Sequence, residues 1–187
     1  MKKSIIFILG IVAVIILGVA MFGGTYNSLI AKSEKVDSEL ANIDVQLERR
    51  ADLIPNLVNT VKGYAKHETE AIDKVTTARE NLLKANGAEE LSEADQELTS
   101  AINALMVIVE NYPDLKANQN FSELSDELAG TENRIATSRR DYNDAVTDYN
   151  TTIKKFPTNI LANMFGFEEK DYFEIEESKK DVPKVEF

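Results

Sequence analysis

The chain has 187 residues, 43% of them hydrophobic and 28% charged, with a formal net charge of −11. Eight Gly, four Pro and no Trp point to long helices rather than turn-rich sheets. The absence of Cys excludes disulfide scaffolds, thiol nucleophiles and thiolate metal sites. A single His excludes a multi-His metal centre within one chain, and the acidity argues against nucleic acid as a partner.

The first element is an unbroken apolar run without charge, Ile5 to Phe22, preceded by Lys2 and Lys3. A run of 18 or more such residues predicts a transmembrane helix. A cleaved signal peptide would have a shorter apolar region and a small-x-small site after it, whereas Gly18-Val19-Ala20 lies inside the run. The chain is therefore divided into a basic N-terminus (1–4), an anchor (5–24), a helical bundle (25–157), a short apolar segment (158–167) and an acidic tail (168–187). The two lysines before the run predict a single-pass protein of the cell membrane. Its N-terminus is placed in the cytoplasm and its bundle outside. Beyond the anchor, 19 basic residues face 32 acidic ones, a net −13 that anionic headgroups repel.

Helical periodicity continues through the rest of the chain. Leu29, Val36 and Ile43 form one row of sevens, and Leu40, Leu47 and Ile54 the next, a coiled-coil-like seam. Pro55 interrupts it and predicts a kink near Ala51. A second stripe, Ala71/Ile72, Val75, Ala78 and Leu82, is expected to stop at Asn86-Gly87. Ser92 with Asp95 resembles a capping box at the start of the third helix. Its stripe is Leu91, Leu98, Leu105 and Tyr112, with Ala94, Ala101 and Ile108, and Pro113 ends it. The clearest signal is Phe121, Leu128, Ile135, Tyr142, Tyr149 and Phe156, seven apart throughout, closed by Pro157.

A break near Gly63–Thr69 makes the first helix (about 26–65) and the last (about 121–156) equal in length, with a short hairpin beside them. The expected fold is all-α: an N-terminal transmembrane helix followed by an antiparallel four-helix bundle, up-down-up-down, with long first and last helices. In that pairing, residues whose numbers sum to about 182 share a level. Arg50 falls on the apolar seam and needs a partner, because burying an unpaired charge is costly. The register offers Glu132, one heptad before Arg139, and the hairpin brings Arg79 to the level of Asp52. The expected polar layer is Arg50, Asp52, Arg79 and Glu132, fixing helix register or contacting a ligand or partner.

Several strings then stand out: Arg49-Arg50-x-Asp52-Leu53-Ile54-Pro55-Asn56-Leu57-Val58; Val61-Lys62-Gly63-Tyr64-Ala65; Thr131-Glu132-Asn133-Arg134-Ile135-Ala136; and Arg139-x-x-Tyr142-Asn143 with Tyr149-Asn150. With the anchor, they resemble the LemA family over about residues 1–173. The resemblance implies an anchored four-helix bundle without established catalytic activity. Because members include magnetosome membrane proteins, it also implies a part in membrane organisation. It places the bundle in the cytoplasm, opposite to the charge reading.

Metal chemistry is not expected. His67-Glu68 lacks the second His of a zinc peptidase, and one His cannot supply a di-iron site. No nucleophile elbow, phosphate loop or dinucleotide fingerprint appears, so neither an enzyme nor a cofactor is expected. Tyr26, Tyr142 and Tyr149 are read as core, and Asn143 and Asn150 as bonding across helices. Ile160, Leu161, Met164, Phe165 and Phe167 form an apolar patch that either enters the lipid interface or folds back on the bundle. The tail, with eight acids against four lysines, is read as flexible or partner-binding. The functional expectation is a scaffold of the bacterial cell envelope. It is anchored in the bilayer and self-associates into a homo-oligomer. The alternative is an adapter or regulator of a membrane protein such as a quality-control peptidase.

Overall fold

The computed structural model describes the backbone of residues 2–173, and their side chains except those of 2–8, 11, 13–15 and 17–21. Most side chains of the expected anchor (5–24), and residues 174–187 of the expected tail, therefore lie outside the described residues. The elements are α1 (Lys2–Tyr64), α2 (Thr69–Leu82), α3 (Gly87–Val109), α4 (Pro113–Lys116), α5 (Gln119–Lys154) and α6 (Thr158–Phe165), with no strand among the described residues. No turn separates the apolar run from the first bundle helix; both belong to α1. Among the described residues, no helix is long and apolar enough to cross a membrane. The chain divides into two compact units, residues 1–38 with 144–170, and residues 39–143 with 171–187.

In the first unit, Leu29 and Val36 of α1, Val146, Tyr149 and Ile153 of α5, and Leu161 and Ala162 of α6 are buried. Lys32 pairs with Asp148, numbers summing to 180, close to the register read from the heptads. Phe156 leaves the seam: α5 stops at Lys154, a cis bond joins Phe156 to Pro157, and the Phe156 ring is 81% exposed. Gly166 ends α6 with φ +72, the left-handed conformation that glycine adopts without strain.

In the second unit, α1, α2, α3 and α5 enclose one core, a helical bundle. Ile43, Leu47, Ile54 and Leu57 of α1, Ile72 and Val75 of α2, Leu98 and Leu105 of α3, and Leu128 and Ile135 of α5 are all nearly or fully buried. On α3 the buried row drifts from the expected Ala101 and Ile108 to Ile102 and Val109. A straight helix has 3.6 residues per turn, so a strict seven-residue row walks around it.

Asn86-Gly87 starts α3 rather than stopping α2, which ends at Leu82. Asn86 is extended, Gly87 has φ +79, and the Glu90 carboxylate accepts the Asn86 N–H at 2.9 Å. Ser92 and Asp95 are not a cap; both are buried inside α3. Pro113 opens the four-residue α4, whose Leu115 is fully buried. Asn118 caps α5, its side-chain oxygen accepting the Phe121 N–H at 3.1 Å.

Pro55 lies inside α1 without ending it. Proline has no N–H, so the carbonyl four residues back, on Ala51, loses its helical partner. Arg79 of α2 supplies the missing donor, its Nε 2.7 Å from that carbonyl.

The chain after α6 is not loose over residues 168–173. Asn150 brackets Lys170, donating to its carbonyl and accepting its N–H, both at 2.9 Å, while the Tyr149 hydroxyl donates to the Glu168 carbonyl. In the second unit Asn143 brackets Phe173 in the same way at 3.0 and 2.9 Å, and Tyr142 donates to the Asp171 carbonyl at 2.7 Å. These asparagines bond the non-helical backbone after α6, not another helix.

Candidate functional site

Arg50 continues the buried row of α1, seven residues after Ile43, and is 4% exposed. Its Nη1 donates to Asp95 Oδ1 at 2.7 Å and to Thr99 Oγ1 at 2.9 Å, and lies 2.9 Å from Glu132 Oε2. Asp95, on α3 between Leu91 and Leu98, has no solvent exposure. Arg139 of α5 pairs with its other oxygen, Oδ2. The Arg139 guanidinium also lies over the Phe173 ring, 5.0 Å from its centroid, a cation–π contact.

Two cations and two anions thus meet within one unit with no net charge, Asp95 fully enclosed and Glu132 at the edge. Burial lowers the Arg50 pKa, opposed by the Glu132 carboxylate. Burial and the Arg50 charge lower that of Arg139 to about 10, so it stays protonated at neutral pH. Both oxygens of the Asp95 carboxylate are already taken by guanidinium groups. The cluster can fix helix register; it does not present a free acid–base pair.

The structure brings Arg50 and Glu132 together, numbers summing to 182, and does not bring Asp52 into the layer. Asp52 is exposed, and Arg79 meets the Ala51 carbonyl instead. Sequence reasoning missed Asp95 as the hub, with Thr99. The signal for it was a carboxylate at the centre of the Leu91, Leu98, Ile102 stripe, where an unpaired charge is excluded.

This arrangement predicts contrasting variants. Arg79→Ala, which orphans the buried Ala51 carbonyl, is expected to cost about 1–3 kcal/mol. Pro55→Ala restores an N–H opposite that carbonyl, so the double variant should recover much of the loss. Asp52→Ala should stay within about 0.5 kcal/mol. Denaturant unfolding reads all of these. Equal losses for Asp52 and Arg79 would restore the layer expected from the sequence.

At α6 the apolar residues divide. Leu161 is buried and Phe167 half-buried, while Ile160, Met164 and Phe165 are more than half exposed. Tyr26 holds the edges of Phe165 and Phe167, with ring centroids 4.9 and 5.8 Å away.

The fold, with its neutralised charge cluster, is that of an all-helical bundle protein. The LemA family pattern matches residues 39–187, and the chain belongs to that family. Similar relatives include magnetosome protein MamQ 2 of Paramagnetospirillum magneticum, 31% identical over 84% of this chain and 67% of that protein. Magnetosome protein MamQ of Magnetospirillum gryphiswaldense is 28% identical over 79% of this chain and 64% of its own. Protein LemA of Metamycoplasma hominis is 28% identical over 76% of this chain and 65% of its own.

Proposed function

We propose that this chain is a membrane-anchored helical scaffold that works by lateral self-association in the bilayer rather than by catalysis. The observation that carries the reading is the run Ile5–Phe22, 18 residues without a charge, inside a helix that continues unbroken to Tyr64. Such a run matches the hydrocarbon thickness of a membrane. Leu9, Val12 and Ile16 along it are exposed apolar side chains that water would not favour. Confinement to a plane raises the effective concentration of copies, so weak contacts suffice for assembly. Relatives named for the magnetosome support a role in organising a cellular compartment. The lysines before the run favour a cytoplasmic N-terminus and an outer bundle.

The test is the size of the full chain extracted in mild detergent, measured by light scattering. A discrete oligomer is expected, with a protein mass well above the 20.9 kDa of one chain. A monomer would overturn self-association, and a monomer that co-purifies with another membrane protein would replace the scaffold with an adapter.

A further inference from the structure

The first unit contains a groove of about 490 Å³ lined by Phe22, Gly23 and Tyr26 of α1 and Leu161, Met164 and Phe165 of α6. Its walls are almost wholly carbon, and its volume lies within the range of small-ligand sites. No residue of α6, Thr158 to Phe165, carries a charge. Phe22, Met164 and Phe165 are each more than half exposed although they border an apolar hollow. A Cβ built on Gly23 would meet nothing within 4 Å, so the groove is open at that point.

We infer that this groove binds one acyl chain of a bilayer phospholipid. This deepens the anchored reading above and rests on it. The groove begins at Phe22, the last residue of the apolar run, and Tyr26 lies one helical turn further on. At 1.5 Å per residue, the whole α1 wall falls within about 6 Å of the end of the run. If the run spans the bilayer, the groove opens at the level where acyl chains meet headgroups. Exposed Met and Phe side chains at that level exchange water for hydrocarbon. Met suits an irregular chain because its unbranched side chain adapts in shape. Tyr26 keeps the groove open from one side, its ring held edge-on by Phe165 and Phe167.

The chain has no Trp, so a single introduced Trp is an unambiguous reporter. The full-length protein is reconstituted in phosphatidylcholine–phosphatidylglycerol vesicles carrying a nitroxide quencher near either the headgroup or the chain end. The M164W variant reads the groove, and V12W reads the anchor. The expected result is loss of V12W fluorescence with the deep quencher and of M164W fluorescence with the shallow one. Adding Gly23→Leu fills the groove. It should reduce the M164W quenching, with helical content and unfolding unchanged, because leucine is the better helix former. Native mass spectrometry should show a phospholipid retained by the parent chain and lost from the G23L variant. If V12W is quenched but M164W is not, or G23L changes neither its quenching nor lipid retention, the groove assignment falls while the anchor stands. Failure of V12W quenching would overturn both.

Discussion

Asp95→Ala is expected to destabilise the bundle by about 3–5 kcal/mol, because it leaves buried cations without their counter-ion. Asp95 is fully enclosed, and Arg50 and Arg139 hold its two oxygens from α1 and α5. The desolvation cost of Arg50, already 4% exposed, is not relieved by losing its partner. Glu132 compensates only in part, since its side chain is 39% exposed and water screens it. Glu132→Ala should therefore cost distinctly less than Asp95→Ala. A joint replacement of all four charges, Arg50→Met with Asp95→Leu, Glu132→Gln and Arg139→Met, should be far milder than Asp95→Ala alone. Removing a whole buried ion set is often neutral or stabilising by about 1–4 kcal/mol. Denaturant unfolding of the full chain in detergent, followed by circular dichroism, measures each step. If the quadruple variant is as unstable as the single one, charge pairing is not what Asp95 supplies.

The heptad rows made the long helices and their antiparallel register legible. Leu29, Val36, Ile43, Leu128 and Ile135 are buried as their spacing requires, and the register brings Arg50 to Glu132. Periodicity reports the averaged face of a helix, so it locates rows better than ends. Ser92-x-x-Asp95 has the composition of a cap, and only the wider window shows Leu91 and Leu98 placing Asp95 inward. Asn86-Gly87 fits a stop or a start equally, because an extended Asn and a positive-φ Gly serve both ends of a helix. Phe156 continues the row of sevens but follows the last turn of α5, where the pattern has no helix to act on. The segment 168–173 was illegible for another reason. Its charges mark it as solvated, while what holds it is backbone bonding to Asn143 and Asn150, which composition does not record.

Phe173→Ala is expected to cost about 3–5 kcal/mol, the usual loss for a buried aromatic truncated to alanine. Its ring is 1% exposed and takes the Arg139 guanidinium on its face. Truncation would therefore remove both an apolar anchor and part of the shelter around the charge cluster. Asn143→Ala removes two hydrogen bonds to the Phe173 backbone and should cost about 1–3 kcal/mol, mainly through the backbone groups left unpaired. The two effects are not independent. Without Asn143 the backbone at residue 173 is free to move, so the ring is less firmly seated before it is deleted. The double variant should accordingly lose less than the two single losses added together. Thermal unfolding of the four chains closes this cycle. Strict additivity would mean that the ring and the bracketing amide hold the segment separately. A loss below about 1 kcal/mol for Phe173→Ala would place it with surface substitutions, leaving the segment 171–173 no part in the stability of its unit.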